Sequence, residues 1–253
     1  MELSRLKNNV TIVFQPIHDL VSGTGEILGF EALARGPDGP LYFPCNLFRE
    51  AARERILDHV ELLCFNLALK NFRILQHLGT SIFINFSPHT IVKHYPEIIN
   101  RLKKFKGNAV IELIEYSITG KARGELLTAL GYLHSAGFRI ALDDMGNGDR
   151  DLGSICELPA DIIKIDRKII QGLTKNGNAQ KYKIMLNTLV GLARNLKMIV
   201  IAEGIETEIQ QNGVMEAGIT MAQGFFLSMP KPAAFWANQL KDEKSNIKIA
   251  GER

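Results

Sequence analysis

The sequence predicts a (β/α)₈ barrel in which one strand near the N-terminus runs antiparallel to the others. Three observations predict it. The chain has 253 residues, close to the roughly 250 that such a barrel takes. Short apolar runs alternate along it with longer amphipathic ones, which is typical of strands alternating with helices. Eight of the apolar runs have strand length, which is the number that a closed barrel of this class needs.

The strand candidates are short and rich in Val, Ile, Leu and Phe, as expected for strands buried on both faces of a parallel sheet. They are residues 11–17, 27–34, 81–86, 109–114, 139–143, 162–165, 198–202 and 222–227. Only a turn-sized gap, residues 22–25, separates the first two. That gap predicts a hairpin, and with it the antiparallel strand.

Amphipathic stretches fill most of the other gaps and predict helices. They cover residues 47–57, 59–77, 89–104, 122–136, 180–195, 206–216 and 232–240. No linker rich in Pro, Gly or Ser divides the chain, so we expect a single domain over residues 1–253, with a frayed tail at 241–253.

Composition narrows the class of protein. Apolar residues make up 46% of the chain and the formal net charge is only +3, so a large core is expected and a nucleic-acid footprint is not. The N-terminus has no secretory segment, and no apolar run is long enough to cross a membrane. The cysteines, Cys45, Cys64 and Cys156, are far apart. We therefore expect a cytoplasmic protein that neither inserts into a membrane nor binds DNA.

Polar side chains stand at the ends of the predicted strands. In chain order they are Gln15, Glu31, Asn85, Glu112, Asp143 with Asp144, Lys164 with Asp166, Glu203 and Gln223. A single acid after a strand more often caps a helix or faces solvent. In a parallel barrel, however, these ends converge on one mouth, and carboxylates gathered there repel one another unless a cation holds them.

Oxygen ligands without His or Cys favour Mg²⁺, Mn²⁺ or Ca²⁺ over Zn²⁺. With this many acids we expect two ions about 3.5–4 Å apart, an arrangement that serves in-line displacement at phosphorus. Lys164 has two open roles among these acids. It balances their charge, or it orients or deprotonates a water and stabilises a transition state. We favour the second role.

An ordered set of motifs resembles the EAL domain family and runs over residues 10–240. The set comprises Gln15-Pro16-Ile17, Glu31-Ala32-Leu33, Asn85-Phe86-Ser87, Glu112-Leu113-Ile114-Glu115, Asp143-Asp144, Lys164-Ile165-Asp166, Glu203-Gly204-Ile205-Glu206-Thr207 and Gln223-Gly224-Phe225. Each motif alone is weak evidence, but their common order is specific. The resemblance implies a homodimeric phosphodiesterase that opens cyclic di-GMP to linear pGpG with Mg²⁺ or Mn²⁺, and that Ca²⁺ inhibits.

The resemblance also assigns roles to residues of this chain. It implies a metal site made of Glu31, Asn85, Glu112, Asp143, Asp144 and Glu203. It implies catalytic roles for Lys164, near the attacking water, and for Glu203, Glu31 and Gln223. Substrate contacts fall to Gln15, Arg35 and Asp166, where the guanidinium of Arg35 suits a phosphate. Glu115 and Glu206 are implied to brace the loop after the fifth strand.

One loop departs from the family pattern. Residues 145–151 read Met-Gly-Asn-Gly-Asp-Arg-Asp where the family usually has Phe-Gly-Thr-Gly-Tyr-Ser-Ser, and Ile114 replaces a threonine. The departure leaves three alternatives open: a catalytically impaired cyclic di-GMP receptor, an interaction domain that neither binds nor cleaves the nucleotide, and an enzyme for another phosphodiester. Because every strand-end acid is present, we expect the active phosphodiesterase, as a stand-alone domain or as part of a longer protein.

Overall fold

Eight strands form a closed barrel in chain order. The structure, a computed structural model, describes Leu6 and residues 9–22, 25–114, 120–147 and 153–241. The strands are β1 Thr11–Asp19, β2 Ile27–Arg35, β3 Ser81–Phe86, β4 Ala109–Leu113, β5 Arg139–Met145, β6 Ile162–Ile165, β7 Ile199–Ala202 and β8 Met221–Ala222. The predicted fold class is confirmed.

The strand at the N-terminus runs antiparallel to its partner β8. β1 pairs antiparallel with β8, with His18 opposite Ala222 and Asp19 opposite Met221. The neighbouring pairs from β3 to β8 are all parallel. The C-terminal ends of β3 to β8 therefore meet at one end of the barrel, as the sequence analysis expected.

Helices follow most of the strands. They are α1 Pro44–Arg53, α2 Leu57–Phe72, α3 Pro88–Leu102, α4 Gly120–Ser135, α5 Gly153–Glu157, α6 Arg167–Gly172, α7 Ala179–Asn195 and α8 Glu208–Glu216, and residues 233–241 are also helical. Local sequence explains several starts. Pro44 and Pro88 occupy first-turn positions, where no backbone N–H is needed. Thr207 and Gln210 form a reciprocal capping box at the start of α8.

Contact clustering divides the chain into two compact units. Unit 1 comprises Met1–Gln15, Glu31–Thr80 and Pro230–Arg253, and unit 2 comprises Pro16–Phe30 and Ser81–Met229. Within unit 1, the ring of Phe14 lies 6.1 Å from that of Phe72. The indole N–H of the buried Trp236 donates to the carbonyl of Phe14 at 2.8 Å. The single-domain prediction stays a prediction.

An apolar layer in unit 2 shares its face of the strands with the polar residues of the sequence analysis. The buried side chains Ile17, Phe83, Val110, Ala141, Ile162 and Ile201 form one cluster, with Met221 packed against it. Going along each strand from β3 to β8, the residue two positions after the cluster member is Asn85, Glu112, Asp143, Lys164, Glu203 or Gln223. Side chains two positions apart lie on the same face of a strand. Each polar residue therefore lies on the same face as the apolar residue two positions before it.

Several boundaries differ from the prediction. Residues 222–227 were predicted as a strand, but β8 ends at Ala222. The backbone N–H groups of Leu227 and Ser228 donate to the carbonyl of Gly224, which makes this segment a turn. The prediction for residues 223–227 is therefore wrong.

The helix predicted over residues 47–57 also differs. It begins earlier, at Pro44, and ends at Arg53, before Arg55 adopts a positive φ of 56°. The short helices α5 and α6 were not predicted from the sequence. Of the tail predicted to fray, Lys241 is helical and residues 242–253 lie outside the described part. None of the described helices combines the length and apolarity needed to cross a membrane.

Candidate active site

Lys164 is the centre of a largely buried charge cluster in unit 2. Its ammonium nitrogen lies 2.7 Å from Glu112 Oε1 on β4, 3.3 Å from Asp143 Oδ1 on β5 and 2.6 Å from Oε1 of Glu203, which directly follows β7. The side chains of Lys164 and Glu112 are fully buried. Burial strengthens such contacts, since the effective dielectric is lower than in water. The structure thus brings together four of the predicted site residues.

A β-bulge places a second aspartate beside this cluster. Leu142 pairs with Ile163, and Met145 pairs with Ile165. Between these two pairs, β5 therefore contains one more residue than β6. Adjacent strand residues normally point to opposite faces, and a bulge removes that alternation. One oxygen each from Asp143, Asp144 and Glu203 consequently lies within 4.8 Å of the others.

Asp144 reaches this position through an unusual backbone conformation. Its φ is +56°, a left-handed value that side-chain-bearing residues adopt at a cost. Gly146 follows at φ +92°, where an added Cβ would lie 2.2 Å from Ile169 Cδ1. The strained backbone at Asp144 and the close approach at Gly146 shape the end of β5, and strain of this kind concentrates at functional sites.

Gln223 supports the glutamate that follows β7. Its Nε2 donates to Glu203 Oε1 at 3.1 Å, so that oxygen contacts both Gln223 and Lys164. Backbone bonds fix both residues, since Glu203 N donates to the carbonyl of Ile165 and Gln223 N to that of Ala202. At Gly224 an added Cβ would lie 2.1 Å from the carbonyl oxygen of Ile205. Any other residue there would push the Gln223 turn away from the Glu203 loop.

Asn85 stands next to the cluster by strand register. It lies on β3 directly opposite Glu112 on β4, and it is half-buried. The residues that follow are fixed by the cap of α3, where Thr90 N donates to the Ser87 hydroxyl at 3.4 Å. The register is consistent with the metal-ligand role that the resemblance implies for Asn85.

Three predicted site residues belong to unit 1. Gln15 on β1 and Glu31 on β2 are buried, with 7% and 6% of their surfaces exposed. Arg35, the last residue of β2, is half-buried and donates from Nη1 to the carbonyl of Ala34 at 2.8 Å. The roles predicted for these residues stay predictions.

Two further predicted residues make local contacts. Asp166 accepts a hydrogen bond from Lys168 N at 2.8 Å and thereby caps α6. Glu206 is exposed and accepts from Gln171 Nε2 at 3.1 Å. Glu115 lies outside the described residues, as do positions 148–151 of the divergent loop. The substrate and bracing roles of all three residues remain predictions.

The structure also shows features at residues to which no role was assigned from the sequence. Asn147 in the divergent loop is 2.6 Å from the amine of Lys168 on α6, which tethers the start of that loop. Phe225 and Phe226, after Gln223, are 58% and 47% exposed. Aromatic faces of this kind stack on nucleobases, which makes the two rings candidate base contacts. Only 8% of the residues of this chain are aromatic. Two adjacent aromatic residues beside a site motif are therefore a sequence signal from which these base contacts could have been predicted.

The donor set of the cluster fits a hard divalent cation. Asp143 and Asp144 on β5 and Glu203 after β7 offer carboxylate oxygens from two strand ends that flank β6, and neither His nor Cys is part of the group. Such oxygen donors are the ligands that Mg²⁺ and Mn²⁺ prefer. With Glu112 included, the cluster comprises four carboxylates, three of which contact Lys164. The acidic groups therefore outnumber this lysine, which favours binding of a cation.

Comparison with known proteins identifies the family. A family model described as the EAL domain matches residues 2–230 of this chain. The chain belongs to the EAL domain family. It is 28% identical over 243 residues to the probable cyclic di-GMP phosphodiesterase PdeB of Escherichia coli K12, an alignment that covers 91% of the chain and 45% of PdeB. It is 25% identical over 217 residues to the cyclic di-GMP phosphodiesterase RocR of Pseudomonas aeruginosa, covering 82% of the chain and 54% of RocR.

Solved structures of EAL proteins share the fold. The PaMucR phosphodiesterase in its c-di-GMP complex superposes with a TM-score of 0.79 at 26% identity, covering 91% of this chain and 95% of that one. The EAL domain of DcpA from Mycobacterium smegmatis has a TM-score of 0.74 at 25% identity and covers 96% and 98% of the two chains. This EAL chain spans about half the length of PdeB and RocR.

Proposed function

We propose that this EAL domain is a metal-dependent phosphodiesterase that hydrolyses cyclic di-GMP to linear pGpG. The observation that carries the proposal is the convergence of Glu112, Asp143, Asp144 and Glu203 at the C-terminal ends of neighbouring strands, around Lys164. This is the end of a barrel at which active sites are built. Two relatives and one structural neighbour carry names that state cyclic di-GMP phosphodiesterase activity or a c-di-GMP complex.

Two Mg²⁺ or Mn²⁺ ions would supply positive charge for the phosphoryl group and make a bound water more acidic. Asp143, Asp144 and Glu203 would hold them, together with Glu31, Asn85 and Glu112, as the family resemblance implies. Water would attack the phosphorus, and the bond from phosphorus to the 3′-oxygen would break.

The chain's own residues would position these reactants. Gln223 holds Glu203 Oε1 through the 3.1 Å hydrogen bond and so fixes the orientation of that carboxylate. Arg35 would bind a phosphate oxygen, with Gln15 and Asp166 as further substrate contacts. Lys164, Glu203, Glu31 and Gln223 form the proposed catalytic group, and Glu115 and Glu206 would brace the loop after β5.

Assembly and location belong to the same proposal. The family resemblance supports a homodimer that consists of one domain per chain over residues 1–253. The separated thiols of Cys45, Cys64 and Cys156 support a reducing, cytoplasmic environment. The net charge of +3 argues against a DNA partner.

The direct test is incubation of the purified protein with cyclic di-GMP and Mg²⁺ or Mn²⁺, with products followed by chromatography and EDTA as the control. Metal-dependent formation of pGpG is the expected result. Saturable binding of intact cyclic di-GMP without product would instead support the receptor, which the divergent sequence of residues 145–151 favours. If the protein neither binds cyclic di-GMP nor forms pGpG, two alternatives remain. The chain is then an interaction domain or an enzyme for another phosphodiester.

A further inference from the structure

A cavity of about 360 Å³ lies at the end of the barrel opposite the acidic cluster. It is lined by the turn that leads from α7 into β7 and by the turn that leads from α8 into β8. The acidic cluster, by contrast, contains Glu203, which directly follows β7. The residues that line the cavity all belong to unit 2. The volume lies in the range of small-molecule sites, which is roughly 300–1,000 Å³.

The lining of this cavity combines apolar surface with positive charge. Its apolar part includes Val190, Met198, Ile199 and Met221, and its polar part includes Arg194, Lys197 and Thr220. No acidic side chain is among the described residues that line it. In the described part of the chain, neither Arg194 nor Lys197 forms an ion pair with a carboxylate. Two cations that no acid offsets raise the local potential, which favours an anion.

Lys197 has a backbone conformation that glycine adopts more readily. It follows the end of α7 with φ +59°. The equivalent positions after α4 and α8 are glycines, Gly137 and Gly218, which close their helices with the same pair of backbone bonds. Arg55, after α1, is a second basic residue in this conformation. The helix C-terminus favours a cation, and at α7 it keeps one beside the cavity despite a backbone cost of about 1–2 kcal/mol.

Arg194 connects the two turns that line the cavity. It lies in the last turn of α7. A Cβ added to Gly218 would lie only 2.7 Å from its Nη2, so the guanidinium lies against the turn that precedes β8. The backbone of that turn is itself fixed, since Leu20 N donates to the carbonyl of Thr220 at 2.8 Å. The guanidinium is therefore placed at the cavity by both turns.

We propose that this cavity binds a phosphate monoester that has a small apolar body. The guanidinium of Arg194 offers paired donors that suit phosphate oxygens, and the amine of Lys197 adds a second positive charge. A phosphate monoester carries nearly two negative charges above its second pKa near 6, which matches the two cations. The apolar lining would cover the organic group. The inference is independent of the proposed function, because the cavity shares no residue with the acidic cluster.

The probe is phenyl phosphate, titrated by isothermal titration calorimetry at pH 8 in EDTA, so that no metal at the acidic cluster can bind it. Arg194→Met/Lys197→Met is compared with Lys103→Met/Lys104→Met, which removes two lysines directly after α3 and gives the same net charge. We expect saturable binding by the unmodified protein and by the control. Arg194→Met/Lys197→Met should bind at least about tenfold more weakly. All four side chains are exposed, so both variants should fold.

A further variant, Lys197→Gly, separates ligand binding from the role of Lys197 at the helix end. Glycine relieves the left-handed backbone, so this variant should melt no lower than the unmodified protein, yet bind phenyl phosphate about fivefold more weakly.

Inorganic phosphate serves as a second probe and should bind more weakly than phenyl phosphate, because it leaves the apolar lining uncovered. Equal affinity for the two phosphates would overturn the organic ligand. Absence of saturable binding would overturn the site itself, as would unchanged affinity in Arg194→Met/Lys197→Met or in Lys197→Gly. Since EDTA is present throughout, none of these outcomes depends on whether the protein forms pGpG.

Discussion

At the scale of single residues, Asp144 combines a charged side chain with a strained backbone. Its φ of +56° is one that glycine adopts without penalty, while its carboxylate joins those of Asp143 and Glu203. A residue chosen for stability alone would not be an aspartate. The aspartate at this position therefore lowers the stability of the fold but places a carboxylate at the end of β5.

Two substitutions separate these contributions at Asp144. Asp144→Asn removes the charge and keeps a side chain, whereas Asp144→Gly also relieves the backbone. We expect both to weaken Mn²⁺ binding, and we expect the glycine variant to be about 1 kcal/mol more stable than the asparagine variant in EDTA. Urea unfolding measures the difference. Equal stability of the two variants would show that the backbone at Asp144 is not strained.

Glu31 serves the proposed site, so its loss should affect activity far more than folding. We expect Glu31→Ala to abolish hydrolysis of cyclic di-GMP while the melting temperature changes by less than about 4 °C. Glu125→Ala is a suitable control, because Glu125 forms an exposed helix pair with Lys121. Normal turnover by Glu31→Ala would remove Glu31 from the metal site.

Cys64 should be the unreactive thiol of the chain. Burial, with a smaller contribution from the nearby Glu61 carboxylate, raises its pKa to about 12, and the thiolate is the reactive form. At pH 8 we expect Ellman's reagent to modify the exposed Cys45 and Cys156 and to reach Cys64 only in urea. Rapid modification of a third thiol in the folded protein would contradict this.

The raised pKa of Cys64 also has a consequence for stability. The unfolded thiol ionises above about pH 8.5, whereas the folded thiol stays neutral until near pH 12. The contribution of Cys64 to stability is therefore fully present below about pH 8.5 and is lost as the pH rises toward 12. A Cys64→Ala variant should lose that part of the alkaline pH dependence.

At the scale of elements, the capping box of α8 fixes the helix that follows the Glu203 loop. The Thr207 hydroxyl accepts from Gln210 N at 3.3 Å, and the Gln210 side chain returns a bond to the backbone of Thr207. We expect Thr207→Ala to cost about 1 kcal/mol of unfolding free energy. The control is Thr188→Ala in the middle of α7, where the hydroxyl bonds to Ile184 on an exposed surface and its loss should cost less than about 0.5 kcal/mol.

The elements also show what a sequence can and cannot predict. β3 and β6 have the predicted bounds, because their apolar runs are flanked by clear helix or turn signals. β5 extends past its predicted end to Met145, because the bulge depends on the register with β6, which no local pattern encodes. β8 is shorter than predicted because the residues after it bond to the Ile205 loop instead of continuing the strand: Ile205 N donates to the carbonyl of Gln223, and Phe226 N donates to the carbonyl of Ile205. Long-range contacts decided both differences.

The site shows the same division between pattern and contact. The rule that polar residues at strand ends converge correctly brought together Glu112, Asp143, Lys164 and Glu203. It could not reveal that one lysine contacts three of the acids, since that depends on the tilt and spacing of four strands. The positive φ at Asp144 could not be predicted from the sequence either, because it lies within the bulge between β5 and β6.

At the scale of the whole molecule, the proposed metal site predicts a coupling between cation binding and thermal stability. A ligand at 100 times its dissociation constant adds about 2.7 kcal/mol to a native state that alone binds it. We expect saturating Mn²⁺ to raise the melting temperature by about 5–10 °C and EDTA to reverse the rise. Asp143→Asn should reduce the shift, and Glu157→Gln, an exposed acid paired with Arg123, should not. A shift that survives Asp143→Asn would place the cation elsewhere.

The buried Trp236 gives unit 1 an optical signal of its own. It is the chain's sole tryptophan, and its indole is held against the carbonyl of Phe14, so intrinsic fluorescence during denaturation follows unit 1. Circular dichroism at 222 nm follows the helices of both units. If added Mn²⁺ delays the change in tryptophan emission, binding of the cation stabilises unit 1 as well. One natural fluorophore therefore makes the cooperativity of the two units measurable without any label.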